Sequence, residues 1–254
     1  MVKIGVVGGG QLARMMIPAA INLGIDIRIF SDSEDSSARI AATRVGDYTK
    51  LDELVDFSDG VDVVTFDHEH VPLDLLLSLE ESGITVAPPP SALALVQNKI
   101  AMRSALASLG VPQPLWCEVT GDSDLTAAFE TVGGLPCIAK LPVGGYDGKG
   151  VRVVAKPEDL RDWFALGPVL LEEKVEFRRE LSQVGARNAD GEWVPWPAVQ
   201  TRQSQGVCSE VIAPAPDLSA ELFAEAEAIA HSIAKEVGVL GVLAVELFEN
   251  QEGQ

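Results

Sequence analysis

The chain has 254 residues, 47% of them hydrophobic, which allows one large domain or two to three small ones with a real core. Lys and Arg number 19 against 38 Asp and Glu, a net charge of −19, and such a surface repels phosphate backbones and anionic lipid, arguing against nucleic-acid and membrane-surface partners. Cys117, Cys137 and Cys208 are odd in number and far apart, without a C-x-x-C, so neither a disulfide framework nor a thiolate zinc site is indicated; with no signal peptide or membrane-spanning apolar run, the reading is a soluble cytoplasmic protein.

The pattern opens as α/β. Ile4–Val7 reads as a buried strand running into Gly8-Gly9-Gly10. Apolar residues then recur at Leu12, Met15, Met16, Ala19, Ala20 and Leu23, a helical stripe ending at Gly24, with Pro18 expected to kink it. Ile25, Ile27 and Ile29 alternate as a second strand, and Val61–Phe66 forms another. Strand, helix, strand at this spacing predicts a parallel sheet with crossover helices. Ala87-Pro88-Pro89-Pro90 marks the domain boundary, giving domains 1–90 and 91–254. One helix is expected over Ser91–Leu109, stopped by Gly110 and Pro112. From about Pro114 shorter strands follow: Pro136–Leu141, Val151–Val154 and Val169–Glu172, within a subdomain spanning about 114–174. A late amphipathic helix opens after Ser219 and closes at Gly238, and the strand Gly241–Phe248 follows it.

Gly8-Gly9-Gly10-Gln11-Leu12-Ala13 fits G-x-G-x-x-[GA] between a strand and a helix, where backbone N–H groups approach an anion closely. A nicotinamide dinucleotide with its ribose on Asp32, a purely structural turn, and the phosphate of a substrate all satisfy these letters; the last is favoured. Lys140 ends an apolar strand, and a charge there is costly unless an anion meets it. Gly144-Gly145-Tyr146-Asp147-Gly148-Lys149-Gly150 follows, leading into another strand. A strand–loop–strand flap of this kind folds over a triphosphate with its N–H groups inward, and it is not a Walker A loop. Glu172 and Glu180 lie at or beyond a strand end, suited to accept from adenine and ribose donors. Glu246 interrupts the apolar strand Val242–Phe248, and its apolar same-face neighbours Val242, Ala244 and Phe248 predict an inward carboxylate held by a hard cation.

The ordered set resembles a known family. It comprises Gly-Gly-Gly-Gln-Leu-Ala-Arg-Met (8–15), Thr-Phe-Asp-His-Glu-His-Val-Pro (65–72), Gln-Asn-Lys (97–99), Lys140 with the 144–150 loop, Glu172 and Glu180, and Ala-Val-Glu-Leu-Phe (244–248). It is similar to the N5-carboxyaminoimidazole ribonucleotide synthases of the ATP-grasp superfamily. The fold this implies is an N-terminal Rossmann-like parallel sheet, the pre-ATP-grasp domain, followed by an α+β ATP-grasp domain. The resemblance implies that Lys99 and Lys140 contact ATP phosphates under a flap of Gly145, Tyr146, Asp147, Gly148, Lys149, Gly150 and Val151. Glu172, Glu173, Lys174 and Val175 would hold adenine, Glu180 the ribose, and Glu246 magnesium, with manganese as its substitute. Gly10, Gln11 and Leu12, with Glu69, Tyr146, Asp147 and Lys149, would take 5-aminoimidazole ribonucleotide (AIR). Lys140, Tyr146, Asp147 and Lys149 are the candidate catalytic residues.

The implied reaction is ATP- and bicarbonate-dependent carboxylation of AIR in purine biosynthesis, by a homodimer that passes its product to a mutase. Another ATP-grasp ligase, or a nucleotide-binding fragment without turnover, is the alternative. Three departures stand out. Asp67-His68-Glu69-His70 replaces the usual Glu-Phe-Glu-Asn, and two histidines fall short of the ligand count of a zinc site. Gln203 stands where an ATP-site histidine is frequent. The family pattern also continues past the Glu246 strand into an Asn-Glu pair, so the chain is expected to be C-terminally truncated relative to it.

Overall fold

The computed structural model describes residues 1–121, 125–145 and 148–253. The chain divides into two compact units, Met1–Ala94 and Leu95–Gln254, against an expected boundary after Pro90.

The first unit contains β1 (Lys3–Val7), α1 (Gln11–Leu23), β2 (Asp26–Ser31), β3 (Ala42–Val45), α2 (Leu51–Ser58), β4 (Val63–Phe66) and α3 (Leu73–Glu81), and most of α4 (Pro90–Gln97). Its sheet is parallel in the order β3-β2-β1-β4, as the alternating pattern predicts. The central strands are apolar on both faces: Val6, Val7, Ile29, Phe30 and Val64 are completely buried. Because β1 and β4 are neighbours, Val7 pairs with Phe66, and the chain leaves both strands side by side at Gly8 and Asp67. The helix α1 runs unbroken through Pro18 and ends on left-handed Gly24 (φ 67°), whose N–H donates to the carbonyls of Ala20 and Ile21.

The second unit contains α5 (Lys99–Ser108), β5 (Trp116–Val119), α6 (Leu125–Thr131), β6 (Cys137–Lys140), β7 (Val151–Val154), β8 (Val169–Glu172), β9 (Phe177–Arg187), β10 (Trp193–Pro195), β11 (Val199–Ser204), β12 (Val207–Ile212), α7 (Ala220–Glu236) and β13 (Gly241–Asn250). The single helix expected over 91–109 is two. Asn98 leaves the helical conformation (φ −129°, ψ 107°), and its side chain accepts from the N–H groups of Ile100 and Ala101, capping a new helix. One sheet has the order β5-β8-β6-β7, antiparallel throughout. Its inner face packs Val119, Cys137, Ala139, Val154, Val169 and Leu171 against Leu125 and Phe129 of α6 and against Leu160 and Trp163. The other sheet has the order β10-β9-β11-β12, with β13 antiparallel to β9 along nearly its whole length. The helix α7 packs against β9 and β13, its first turn capped by the Ser219 hydroxyl accepting from Leu222 N–H. Among the described residues no helix is long and apolar enough to cross a membrane, and the three cysteines are free thiols.

Candidate functional site

In the first unit the glycine turn lies at the C-terminal ends of β1 and β4, the usual ligand side of an open parallel sheet. The turn is built around a carboxylate of the chain itself. Oδ2 of Asp67 accepts the N–H of Gly10 at 2.7 Å and that of Ala13 at 3.4 Å, so a side-chain anion occupies part of the α1 N-terminus. A Cβ on Gly8 (φ +106°) would lie 1.8 Å from Asp67 Oδ1, and one on Gly9 would lie 2.4 Å from Ser31 Oγ. These two glycines are therefore required by the protein's own packing, before any ligand is considered. Gln11 and Leu12, which open α1 after the turn, are exposed. The Asp67 side chain is only 2% exposed, and its Oδ1 has no hydrogen-bond partner among the described residues; His68 Nε2 lies 4.0 Å from it.

Around this turn stand Tyr48, His68, Glu69 and His70. His68 lies 5.2 Å from Tyr48 and 5.6 Å from His70, ring centroid to centroid, and its Nδ1 accepts the backbone N–H of His70. With Nδ1 so engaged, the histidine pair does not form a ready chelate, and no group of three or more His, Cys, Asp or Glu capable of holding a metal occurs among the described residues. Burial pushes the Tyr48 hydroxyl above its usual pKa, and the carboxylates of Asp32, Asp67 and Asp47 push in the same direction. Elsewhere in this unit a groove of about 590 Å³, lined by Asp56, Asp59 and Asp62 near the start of β4, holds none of the motif residues.

In the second unit, β6 and β7 form the predicted hairpin, and the loop between them is closed by Leu141 N–H donating to Gly150 O at 2.9 Å. Gly144, Gly148 and Gly150 all have left-handed φ, which accounts for glycine at these positions. A Cβ on Gly148 would approach Gly206 Cα in the β11–β12 turn to 3.0 Å, so the flap lies against that turn. Lys99, at the start of α5, donates from Nζ to Gly145 O at 3.1 Å, and its N–H donates to Pro142 O at 2.9 Å. The Gln-Asn-Lys motif thus both caps a helix and ties it to the flap. Lys149 and Val151 are exposed on the flap. Tyr146 and Asp147 lie outside the described residues.

Lys140 is met by an anion, and that anion belongs to the chain. Its Nζ lies 2.5 Å from Glu172 Oε2, and Arg103 Nε of α5 lies 2.7 Å from Glu172 Oε1. Sheet geometry explains the meeting: Ile138 pairs with Glu172, so Lys140, two residues on, shares its face. The Glu172 side chain is 4% exposed. Burial alone would raise its carboxyl pKa, but the Lys140 ammonium and the Arg103 guanidinium outweigh this and hold it below the usual range. Beyond β8, Glu173 accepts the N–H of Leu115 at 3.2 Å, Lys174 pairs with Glu176 at 3.3 Å, and Val175 N–H donates to Glu173 O.

On the β9–β13 sheet, Glu180 pairs with Phe248 and Ser182 with Glu246, so Glu180 and Glu246 are diagonal neighbours on one face. Burial, and after it the charge of Glu246, raises the Glu180 carboxyl. The expectation that Glu246 points inward is corrected. Glu246 is exposed, as are Val242 (63%) and Phe248 (46%), with Phe248 stacked on Phe177 at 4.5 Å. The apolar row that suggested a buried face is an open one. The carboxylate that β13 does bury is Glu249, 1% exposed, held by Arg178 at 3.1 Å and by Arg179, which also donates to Pro216 O. Gln203 is exposed on β11, opposite Cys208. The pair Glu180 and Glu246 has the donor chemistry of a hard divalent cation, since magnesium takes one or two carboxylates and completes its shell with water and substrate phosphates.

Comparison with known proteins identifies both units. Residues 104–254 match the model of the ATP-grasp domain, and residues 1–97 match that of the ribonucleotide synthetase preATP-grasp domain. An N5-carboxyaminoimidazole ribonucleotide synthase of Mycobacterium bovis is 45% identical over 98% of this chain and 60% of its own length. The synthase of Pseudomonas aeruginosa is 34% identical over 99% of this chain and 69% of its own. The solved synthase of Aspergillus clavatus, in complex with ADP and 5-aminoimidazole ribonucleotide, superposes on all of this chain and 67% of its own with a TM-score of 0.89 at 25% identity. The chain thus spans about 60% of the length of the first of these relatives. By these matches the chain belongs to the ATP-grasp family, and within it to the N5-carboxyaminoimidazole ribonucleotide synthases.

Proposed function

We propose that this chain carries the nucleotide- and substrate-binding parts of an ATP-grasp carbon–nitrogen ligase that carboxylates AIR to N5-carboxyaminoimidazole ribonucleotide. ATP and bicarbonate are consumed, and ADP and phosphate are released. The observation that carries this reading is the glycine flap with Lys99 and Lys140 at its base, in a chain whose A. clavatus relative is solved with ADP and AIR.

In the proposed reaction, bicarbonate oxygen attacks the γ-phosphorus of ATP, the bond to the β-phosphate oxygen breaks, and carboxyphosphate forms. The exocyclic amine of AIR then takes the carboxyl carbon, directly or as released carbon dioxide. The bond from that carbon to the phosphate oxygen breaks, and the amine loses a proton. Phosphoryl transfer asks chiefly for positioning and charge neutralisation, which Lys99, Lys140, Lys149 and the flap N–H groups supply. Because carboxyphosphate hydrolyses readily, a flap that excludes water preserves it. With the Glu172 carboxylate held by two cations, the backbone of Glu173, Lys174 and Val175 is assigned to adenine and Glu180 to the ribose. Magnesium, or manganese in its place, would be held by Glu246 beside Glu180 and would neutralise phosphate charge. Gln11, Leu12 and Glu69 are assigned to AIR, with Gly10 shaping the turn, and the family resemblance assigns Tyr146 and Asp147 to AIR as well. A cytoplasmic homodimer that hands its product to the mutase completes the reading; these points rest on the family resemblance.

The test is ADP release with AIR and bicarbonate omitted in turn. Release that needs both supports the reading. Release sustained by formate in place of bicarbonate would assign another ATP-grasp ligase, and nucleotide binding without release would assign a binding fragment.

A further inference from the structure

Arg103 plays no part in the proposed reaction, yet it is the second cation on the carboxylate that engages Lys140. The two cations differ. The Lys140 side chain is 25% exposed, at the end of β6 where the flap begins, and its ammonium is a point charge on a flexible stem. The Arg103 side chain is 13% exposed and belongs to the middle of α5, whose N-terminus Asn98 caps. The Arg103 carbonyl also accepts from Gln113 Nε2 at 3.1 Å, and a guanidinium keeps its charge at any working pH. Each takes one Glu172 oxygen, Lys140 Oε2 and Arg103 Oε1. The residues paired with Glu172 on the flanking strands, Trp116 and Ile138, do not titrate. Among the described residues the charged groups acting on Glu172 are thus Lys140 and Arg103.

Resting on the nucleotide site proposed above, we propose that Arg103 is a positioning residue that keeps Glu172 ionised and in place when the Lys140 ammonium moves from that carboxylate to the phosphates of a bound nucleotide. Without Arg103, departure of Lys140 leaves a buried carboxylate alone, and such a group takes a proton. Arg103 therefore makes the transfer of Lys140 neutral in protons. Nucleotide binding then stays independent of pH at this point in the site.

The experiment is calorimetric titration of Mg·ADP into the chain, in buffers of different ionisation enthalpy, at several pH values. In Arg103→Gln, binding takes up about one more proton per nucleotide than in the unmodified protein, and affinity falls about tenfold more per pH unit on raising the pH. Arg103→Lys keeps the proton count of the unmodified protein. Arg103→Gln combined with Glu172→Gln removes both the unpaired charge and the extra proton, and it serves as the folded variant if Arg103→Gln alone does not fold. An unmodified proton count in Arg103→Gln, whatever its affinity, overturns the proposal, as does a double variant that retains the extra uptake. Failure of the unmodified chain to bind Mg·ADP at all would instead remove the nucleotide site, and this inference with it.

Discussion

Gly8→Ala tests whether the first glycine turn is shaped by the protein's own carboxylate or by a ligand. At φ +106° an alanine stores of order 1–3 kcal/mol of backbone strain. Its Cβ, at 1.8 Å from Asp67 Oδ1, also forces that side chain away from the N–H groups of Gly10 and Ala13. Loss of a hydrogen bond to a charged group adds about 1.5–3 kcal/mol, so the whole cost is about 2.5–6 kcal/mol. Urea unfolding followed by circular dichroism measures the total. Hydrogen exchange locates it, with protection of the β1 and α1 amides falling by more than about 100-fold. In Gly8→Ala with Asp67→Ala the steric part vanishes, leaving a penalty of about 1–3 kcal/mol beyond Asp67→Ala alone. A penalty for Gly8→Ala below about 1 kcal/mol would refute the reasoning and return the glycines to a ligand-driven role.

Lys140→Met removes a charge proposed to face the phosphates, and AIR-dependent ADP formation should fall at least about 100-fold; unchanged kinetics would take Lys140 out of the mechanism. Because the folded-state carboxyl of Glu172 titrates below its unfolded value, its contribution to stability is present above that value and is lost as pH falls through the folded one. The stability difference between the unmodified protein and Glu172→Gln should accordingly shrink as the pH is lowered below the ordinary carboxyl value of 4.5, and a difference that stays flat on acidification would contradict the ion-pair account. Glu249→Ala leaves the Arg179 guanidinium, 9% exposed, without its carboxylate and should cost about 3–5 kcal/mol in chemical unfolding; a loss below about 1 kcal/mol would show that the pair is not structural.

The strands β1, β2 and β4 of the first sheet and both glycine loops were legible because each is a local pattern, an apolar run or residues without Cβ, whereas β3, the short edge strand Ala-Thr-Arg-Val, carries no apolar run and went unread. Lys140 also signalled correctly that it needs an anion. The sequence could not say that the anion is Glu172, since only the β6–β8 register brings the two together. Nor could it separate the two faces of β13. Leu243, Val245 and Leu247 alternate with Val242, Ala244 and Phe248, so both rows are apolar, and an open apolar face reads like a core face. Glu249 had a weak signal, an acid ending the more buried row, while the adjacent Arg178 and Arg179 lie far away in sequence. Asp67 stood out as a departure from a family motif; that it caps α1 follows only from β4 lying beside β1. The strands β9, β11 and β12 went unread because charged and polar residues recur along them, hiding any apolar run.

Hydrogen-exchange footprinting with each ligand in turn tests the division of labour between the two glycine loops most directly. Mg·ATP should protect the flap at 140–151 and the segment 172–180 while leaving residues 8–12 unchanged, and AIR should protect residues 8–12 and 67–70. Protection of residues 8–12 by the nucleotide, or none at the flap, would contradict the account.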